Sequence, residues 1–153
     1  MSSEPVKSRV YAVVQSLLFV AFGALYFLDP GPRIVGGEPV LTVAGDVLCI
    51  AGVVLLFVAL RTIGKSIQIS PAPRGDATLV THGVYRKRRH PIYTAIVLIL
   101  VGLVVRGATP AAAALAAVAI GFLLIKARYE EALLSARYPE YEAYKKATRG
   151  VLL

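Results

Sequence analysis

Cysteine, histidine and tryptophan are nearly or wholly absent from this chain, and the absences close off several kinds of chemistry. The one cysteine, Cys49, lies inside an apolar run, so neither an intrachain disulfide nor a thiolate metal cluster can form. His82 and His90 are the only histidines, too few with Cys49 to build a structural zinc site, and no protein-held metal is expected. Charge is scarce as well, at 17% of residues against 57% hydrophobic, a balance outside ordinary soluble usage that points to a membrane. Acids are scarcer than bases, nine Asp and Glu against seventeen Lys and Arg, a net charge of +8. Such an excess could serve nucleic acid or membrane orientation, and its distribution decides between them.

What is present in quantity is apolar sequence. A membrane-spanning helix needs about twenty mainly apolar residues, and Val10 to Leu28 and Val40 to Leu60 are full-length runs. Ile92 to Val105 and Ala111 to Ile125 are shorter, separated by Arg106-Gly107-Ala108-Thr109-Pro110. Thr109 followed by Pro110 reads as a helix cap and first helical position, so the break is a tight hairpin. The expected fold is an all-α integral membrane bundle of about four transmembrane helices, with spans near 10–28, 40–61, 91–106 and 110–128. The first run follows Lys7 and Arg9 as a secretory signal would, but it is too long for one and lacks a clean cleavage site, so it is expected to stay as an anchor. With four spans and a cytoplasmic N-terminus, only Arg33 and Arg106 fall outside, leaving fifteen of the seventeen bases inside. That distribution obeys the positive-inside rule and accounts for the basicity without a nucleic-acid partner. It also places both termini, the loop 62–90 and the tail 129–153 in the cytoplasm.

The loop contains Ser70-Pro71-Ala72-Pro73-Arg74-Gly75-Asp76, which cannot be regular helix because proline removes a donor and restricts its predecessor. A connection this long in so small a membrane protein suits a lid or a binding element. The fourth run continues as helix through Lys126, Arg128, Glu130 and Leu134 to about Arg137, where Tyr138-Pro139 breaks it. Pro139 then reads as the start of a further helix, with Tyr138, Tyr141 and Tyr144 at intervals of three on one side.

Two segments carry candidate chemistry. Arg86, Lys87 and Arg88 read first as a clamp on lipid phosphates. His90, Pro91 and Tyr93 are harder to dismiss, since a histidine at a helix start lies beside unsatisfied amides that favour anions, and Arg89 beside it suits a carboxylate. Glu130-Glu131 could be solvated acids pairing with Arg128 or Arg137. Equally, carboxylates bind ribose hydroxyls, an ammonium or a sulfonium, and the hairpin between the two segments returns them to one membrane face. Asp46, near the outer interface, is expected to be wetted rather than functional; His82 reads as a loop residue and Cys49 as a packing residue.

Taken together these residues resemble the isoprenylcysteine carboxyl methyltransferase and phospholipid methyltransferase family of small integral membrane enzymes. The resemblance rests on Leu79-Val80-Thr81-His82-Gly83-Val84-Tyr85, then Arg89-His90-Pro91-Ile92-Tyr93, Glu130-Glu131, and a tail with Tyr138, Tyr141, Tyr144 and Arg149. It covers roughly residues 61 to 149. Val84 stands where many members have proline, and no proline follows Arg149. The resemblance implies S-adenosyl-L-methionine as cofactor in a cytosolic cap, bound by Gly83, Tyr85, His90, Pro91, Tyr93 and Glu130. It implies catalytic roles for Arg89, Glu131 and Arg149, with Arg149 or Arg89 steadying a carboxylate acceptor and Glu131 serving as base for an amine or thiol. The implied partners are membrane lipids and a lipophilic or lipid-borne acceptor. The contrasting possibility is a membrane scaffold or lipid-binding protein that keeps the fold without catalysis; a transporter fits less well, since Asp46 is the only charge candidate within the spans and no interrupted helix pair is present.

Overall fold

The computed structural model describes residues 4–34, 38–64 and 79–150. Within them the chain forms five α-helices: α1 (Glu4–Leu28), α2 (Pro39–Ile63), α3 (Pro91–Gly107), α4 (Pro110–Arg137) and α5 (Tyr141–Ala147). A short 3-10 turn, Gly83–Arg86, precedes α3. No strand occurs among the described residues, only an isolated bridge between Arg88 and Arg149. The proline-rich part of the long loop lies outside the described residues.

By length and composition α1, from Val6, α2 and α4 can each cross a membrane. Helix α3, with 17 residues, is shorter, about 25 Å at 1.5 Å per residue. Its apolar surface packs on α2 along one side and α4 along the other, while α1 lies along α4. The protein is thus an all-helical membrane bundle, as its apolar runs predict.

The α2–α3 seam is built from small residues. A Cβ on Gly45 would lie 2.6 Å from the Gly102 carbonyl oxygen, and one on Gly102 would meet Cys49 Sγ and the Gly45 carbonyl at 2.8 Å. These helices touch backbone to backbone, the way helices associate where no hydrophobic effect drives them together. Cys49 is a packing residue of this seam, its sulfur 3.7 Å from the Ile99 carbonyl oxygen. The α3–α4 hairpin is set as its sequence suggests: the Thr109 hydroxyl accepts from the Ala112 amide at 3.3 Å, and Pro110 follows at the first helical position. At this end Asp46 pairs with Arg106 at 2.7 Å with both side chains half exposed.

Antiparallel packing of α1 on α4 sets a ladder of contacts. Phe22 and Tyr26 lie in the cluster with Ala112, Ala116 and Ala119, while Tyr11 stacks on Tyr129 at 4.9 Å near the other end. Helix α4 runs on to Arg137 as expected. The tail differs from its sequence reading, because α5 begins at Tyr141 rather than Pro139. Pro139 and Glu140 form a turn, closed by the Tyr141 amide donating to the Tyr138 carbonyl at 3.0 Å. Tyr138 therefore precedes the helix, its ring under the Arg137 guanidinium, and Tyr141 and Tyr144 pack together with centroids 5.8 Å apart.

Candidate active site

The segment before α3 turns sharply at Gly83, whose φ of 58° lies in the left-handed region that glycine occupies freely. A side chain there would also press on the end of α2, with a Cβ only 2.8 Å from Thr62 Cγ2. The 3-10 turn that follows buries Tyr85 and leaves Arg86 and Lys87 exposed. His82 is exposed; its carbonyl accepts from the Tyr85 amide. Pro91 then opens α3, with His90 at its cap and Tyr93 one turn in, both buried.

The hairpin brings Glu130 and Glu131 back to this point. Tyr93 donates its hydroxyl proton to Glu130 Oε1 at 2.6 Å. His90 lies between the two acids, its Nε2 3.1 Å from Glu131 Oε1 and its Nδ1 3.7 Å from Glu130 Oε2. The His90 and Tyr93 rings are parallel within 2°, centroids 5.5 Å apart. The acids are therefore not solvated partners of Arg128; they are the second half of a compact cluster whose first half is the His-Pro-x-Tyr segment.

Arg89 has a different surrounding from the one its neighbours suggest. Its Nε donates to Glu131 Oε1 at 2.8 Å, and its Nη1 donates to the carbonyls of Lys145 at 2.9 Å and Thr148 at 2.6 Å. Its backbone is tied to the same stretch, with the Arg89 amide on the Arg149 carbonyl at 2.8 Å and the Arg149 amide on Lys87 at 3.1 Å. The guanidinium clamps the end of α5 onto the site. Arg149 enters through its main chain, and its side chain is exposed.

The tail closes over the cluster. Tyr144 donates to the Tyr85 carbonyl at 2.6 Å, Lys145 lies 3.9 Å from Glu131, and Ser135 bonds Glu142 across the α4–α5 turn at 2.7 Å. Burial pushes the Tyr144 hydroxyl up to about 12, and raises those of Tyr85 and Tyr141 above the phenol range, with Tyr144 adding to the first and Glu131 to the second. All three stay protonated donors at neutral pH. The hydroxyls of Tyr85 and Tyr141 are buried without a hydrogen-bond partner among the described residues. Leaving such groups unpaired costs about 1–3 kcal/mol each, and a polar ligand beside them would supply their acceptors.

One residue escaped the sequence reading. Lys126 is fully buried one turn before Glu130, its Nζ 2.5 Å from Gln15 Oε1 of α1, 3.9 Å from Glu130 Oε1 and 5.4 Å from the Tyr93 ring centroid. A lysine at the edge of an apolar run reads as a membrane-face charge; its spacing of four from Glu130 was the available signal.

The described residues form an all-helical membrane bundle with a His/Tyr/Glu cluster under a clamped tail. The phospholipid methyltransferase family model matches residues 40–141, and the chain belongs to that family. Among solved structures the chain is similar to the eukaryotic intramembrane Ras methyltransferase, isoprenylcysteine carboxyl methyltransferase, determined without a monobody. The two share 24% identity with a TM-score of 0.63, over 97% of this chain and 50% of that one. The likeness is one of fold, and this chain spans about half the length of that protein. No curated protein matches the chain.

Proposed function

We propose that this protein is an S-adenosylmethionine-dependent methyltransferase acting within the membrane on a lipophilic or lipid-borne acceptor. The observation that carries the reading is the convergence of His90, Tyr93, Glu130 and Glu131 beneath the tail, beside two buried, unpaired tyrosine hydroxyls. Family membership supports the reaction class.

The donor set fits such a cofactor. Glu130 and Glu131 suit ribose hydroxyls and an ammonium; the Tyr85 and Tyr141 hydroxyls suit a carboxylate or ring nitrogens. Gly83, Pro91 and the His90–Tyr93 pair would shape the wall. When bound, S-adenosylmethionine supplies an electrophilic methyl group on a sulfonium. The protein's own part is to align the acceptor and exclude water, which provides much of the acceleration in a displacement of this kind. Tyr85, Tyr93, Tyr141 and the clamped tail do the excluding. Arg89 positions Glu131 and the tail, and exposed Arg149 remains the residue free to steady an acceptor carboxylate, itself a nucleophile at neutral pH. An amine or thiol would need a base, and Glu131 is our candidate. The spans near 10–28, 40–61, 91–106 and 110–128, with site and both termini cytoplasmic, form part of the proposal, supported by the one-sided distribution of lysine and arginine.

Calorimetric titration of the purified protein with S-adenosylmethionine or its demethylated product tests this reading. Micromolar binding is expected, lost in His90→Ala and Glu130→Ala. A folded sample that binds neither compound would overturn it. A labelled methyl donor offered with extracted lipids, isoprenyl thioethers and small thiols then identifies the acceptor.

A further inference from the structure

We infer that Lys126, held by Gln15 of α1, is a positioning residue that fixes Glu130 and Tyr93 for ligand binding, so that the first helix is a working part of the site. The inference rests on the reading of Glu130 as a ligand-binding carboxylate. The family match begins at residue 40 and leaves α1 outside it.

A fully buried ammonium is costly unless paired, and an ionisable residue near a membrane interior calls for a reason. Lys126 meets polar or aromatic side chains of α1, α3 and α4. Gln15 Oε1 on α1 accepts from Nζ, Glu130 Oε1 on α4 lies within ion-pair distance, and the face of Tyr93 on α3 is turned to the cation. Glu130 Oε1 is thus shared between the Tyr93 hydroxyl and the Lys126 ammonium. That arrangement holds one oxygen of the carboxylate in place and leaves Oε2 toward His90, 3.7 Å away. Lys126 sets a positive charge beside Glu130, while Arg89 and Lys145 set two beside Glu131. Gln15 bonds the lysine as a neutral acceptor. It anchors the ammonium without competing as a second anion would.

A double-mutant cycle separates positioning from bulk packing. Lys126→Met keeps the length of the side chain and removes the charge; Glu130→Gln removes the carboxylate. Affinity for S-adenosylhomocysteine and thermal unfolding are both measured for the wild type, each single variant and the pair. Lys126→Met is expected to weaken binding by about tenfold to a hundredfold, the range for loss of a charged hydrogen-bonding partner. The pair should bind no worse than Glu130→Gln alone, and Lys126→Arg should recover much of the loss. Gln15→Leu, which leaves the lysine present, should lower affinity in the same direction if Lys126→Met fails to fold. Effects of Lys126→Met and Glu130→Gln that simply add, or unchanged affinity in Lys126→Met and Gln15→Leu, would overturn the inference. The unfolding cycle requires no ligand: coupling there with no binding by the wild type would retain the Lys126–Glu130 pair and refute the cofactor reading, and with it the positioning role.

Discussion

Two arginine–carboxylate pairs of nearly equal length mark the two ends of the bundle. Arg106 and Asp46 meet at 2.7 Å with side chains 46% and 47% exposed. Arg89 and Glu131 meet at 2.8 Å with 12% and 14% exposed. Distance does not distinguish them; their surroundings do. The Arg106–Asp46 pair is half exposed, and an exposed ion pair contributes little. The Arg89–Glu131 pair shares its carboxylate oxygen with His90 and its guanidinium with two tail carbonyls, so removing one member strands several buried groups at once.

The comparison is broken most directly at Arg89. Arg89→Ala should lower stability by about 3 kcal/mol, the lower end for breaking a buried pair, and should abolish ligand binding. Limited proteolysis would report the cause, since α5 released from its clamp becomes cleavable while the membrane helices stay protected. Intact protection of residues 141–149 in that variant would show that the clamp is dispensable.

A smaller effect is expected at Gly83, where the cluster end depends on backbone shape rather than charge. Gly83→Ala places a Cβ in the left-handed region and against Thr62, at a cost of about 1–2 kcal/mol. Reduced ligand affinity should accompany a lower unfolding midpoint, and Gly83→Ala/Thr62→Ala should recover only the steric part. The smallest effect belongs to the Asp46 end. Asp46→Asn should leave the unfolding midpoint and the ligand affinity within error, and a loss comparable with Arg89→Ala would erase the distinction between the two ends.

Much of this is legible in the sequence. Apolar run length marks the helices, Thr109-Pro110 marks the hairpin, and the hairpin brings His90 and Tyr93 to Glu130 and Glu131. The role of Arg89 was not legible, because two of its partners are carbonyl oxygens of Lys145 and Thr148, and main-chain acceptors leave no trace in side-chain identity. Gln15 and Lys126 were hidden for another reason. Each is a single polar residue in or beside an apolar run, and their pairing depends on the register of two helices far apart in sequence. Pro139 misled because a proline can open a helix or sit in the turn before it, and here the Tyr138–Tyr141 bond selects the turn.

The tail clamp has a consequence for synthesis. Thr148 and Arg149 leave the ribosome after helices α1 to α4, yet their carbonyls complete the contacts of Arg89. A nascent chain can therefore insert its helices while its site is still unfinished. The segment made after α5 then brings the arginine, and through it Glu131, into place.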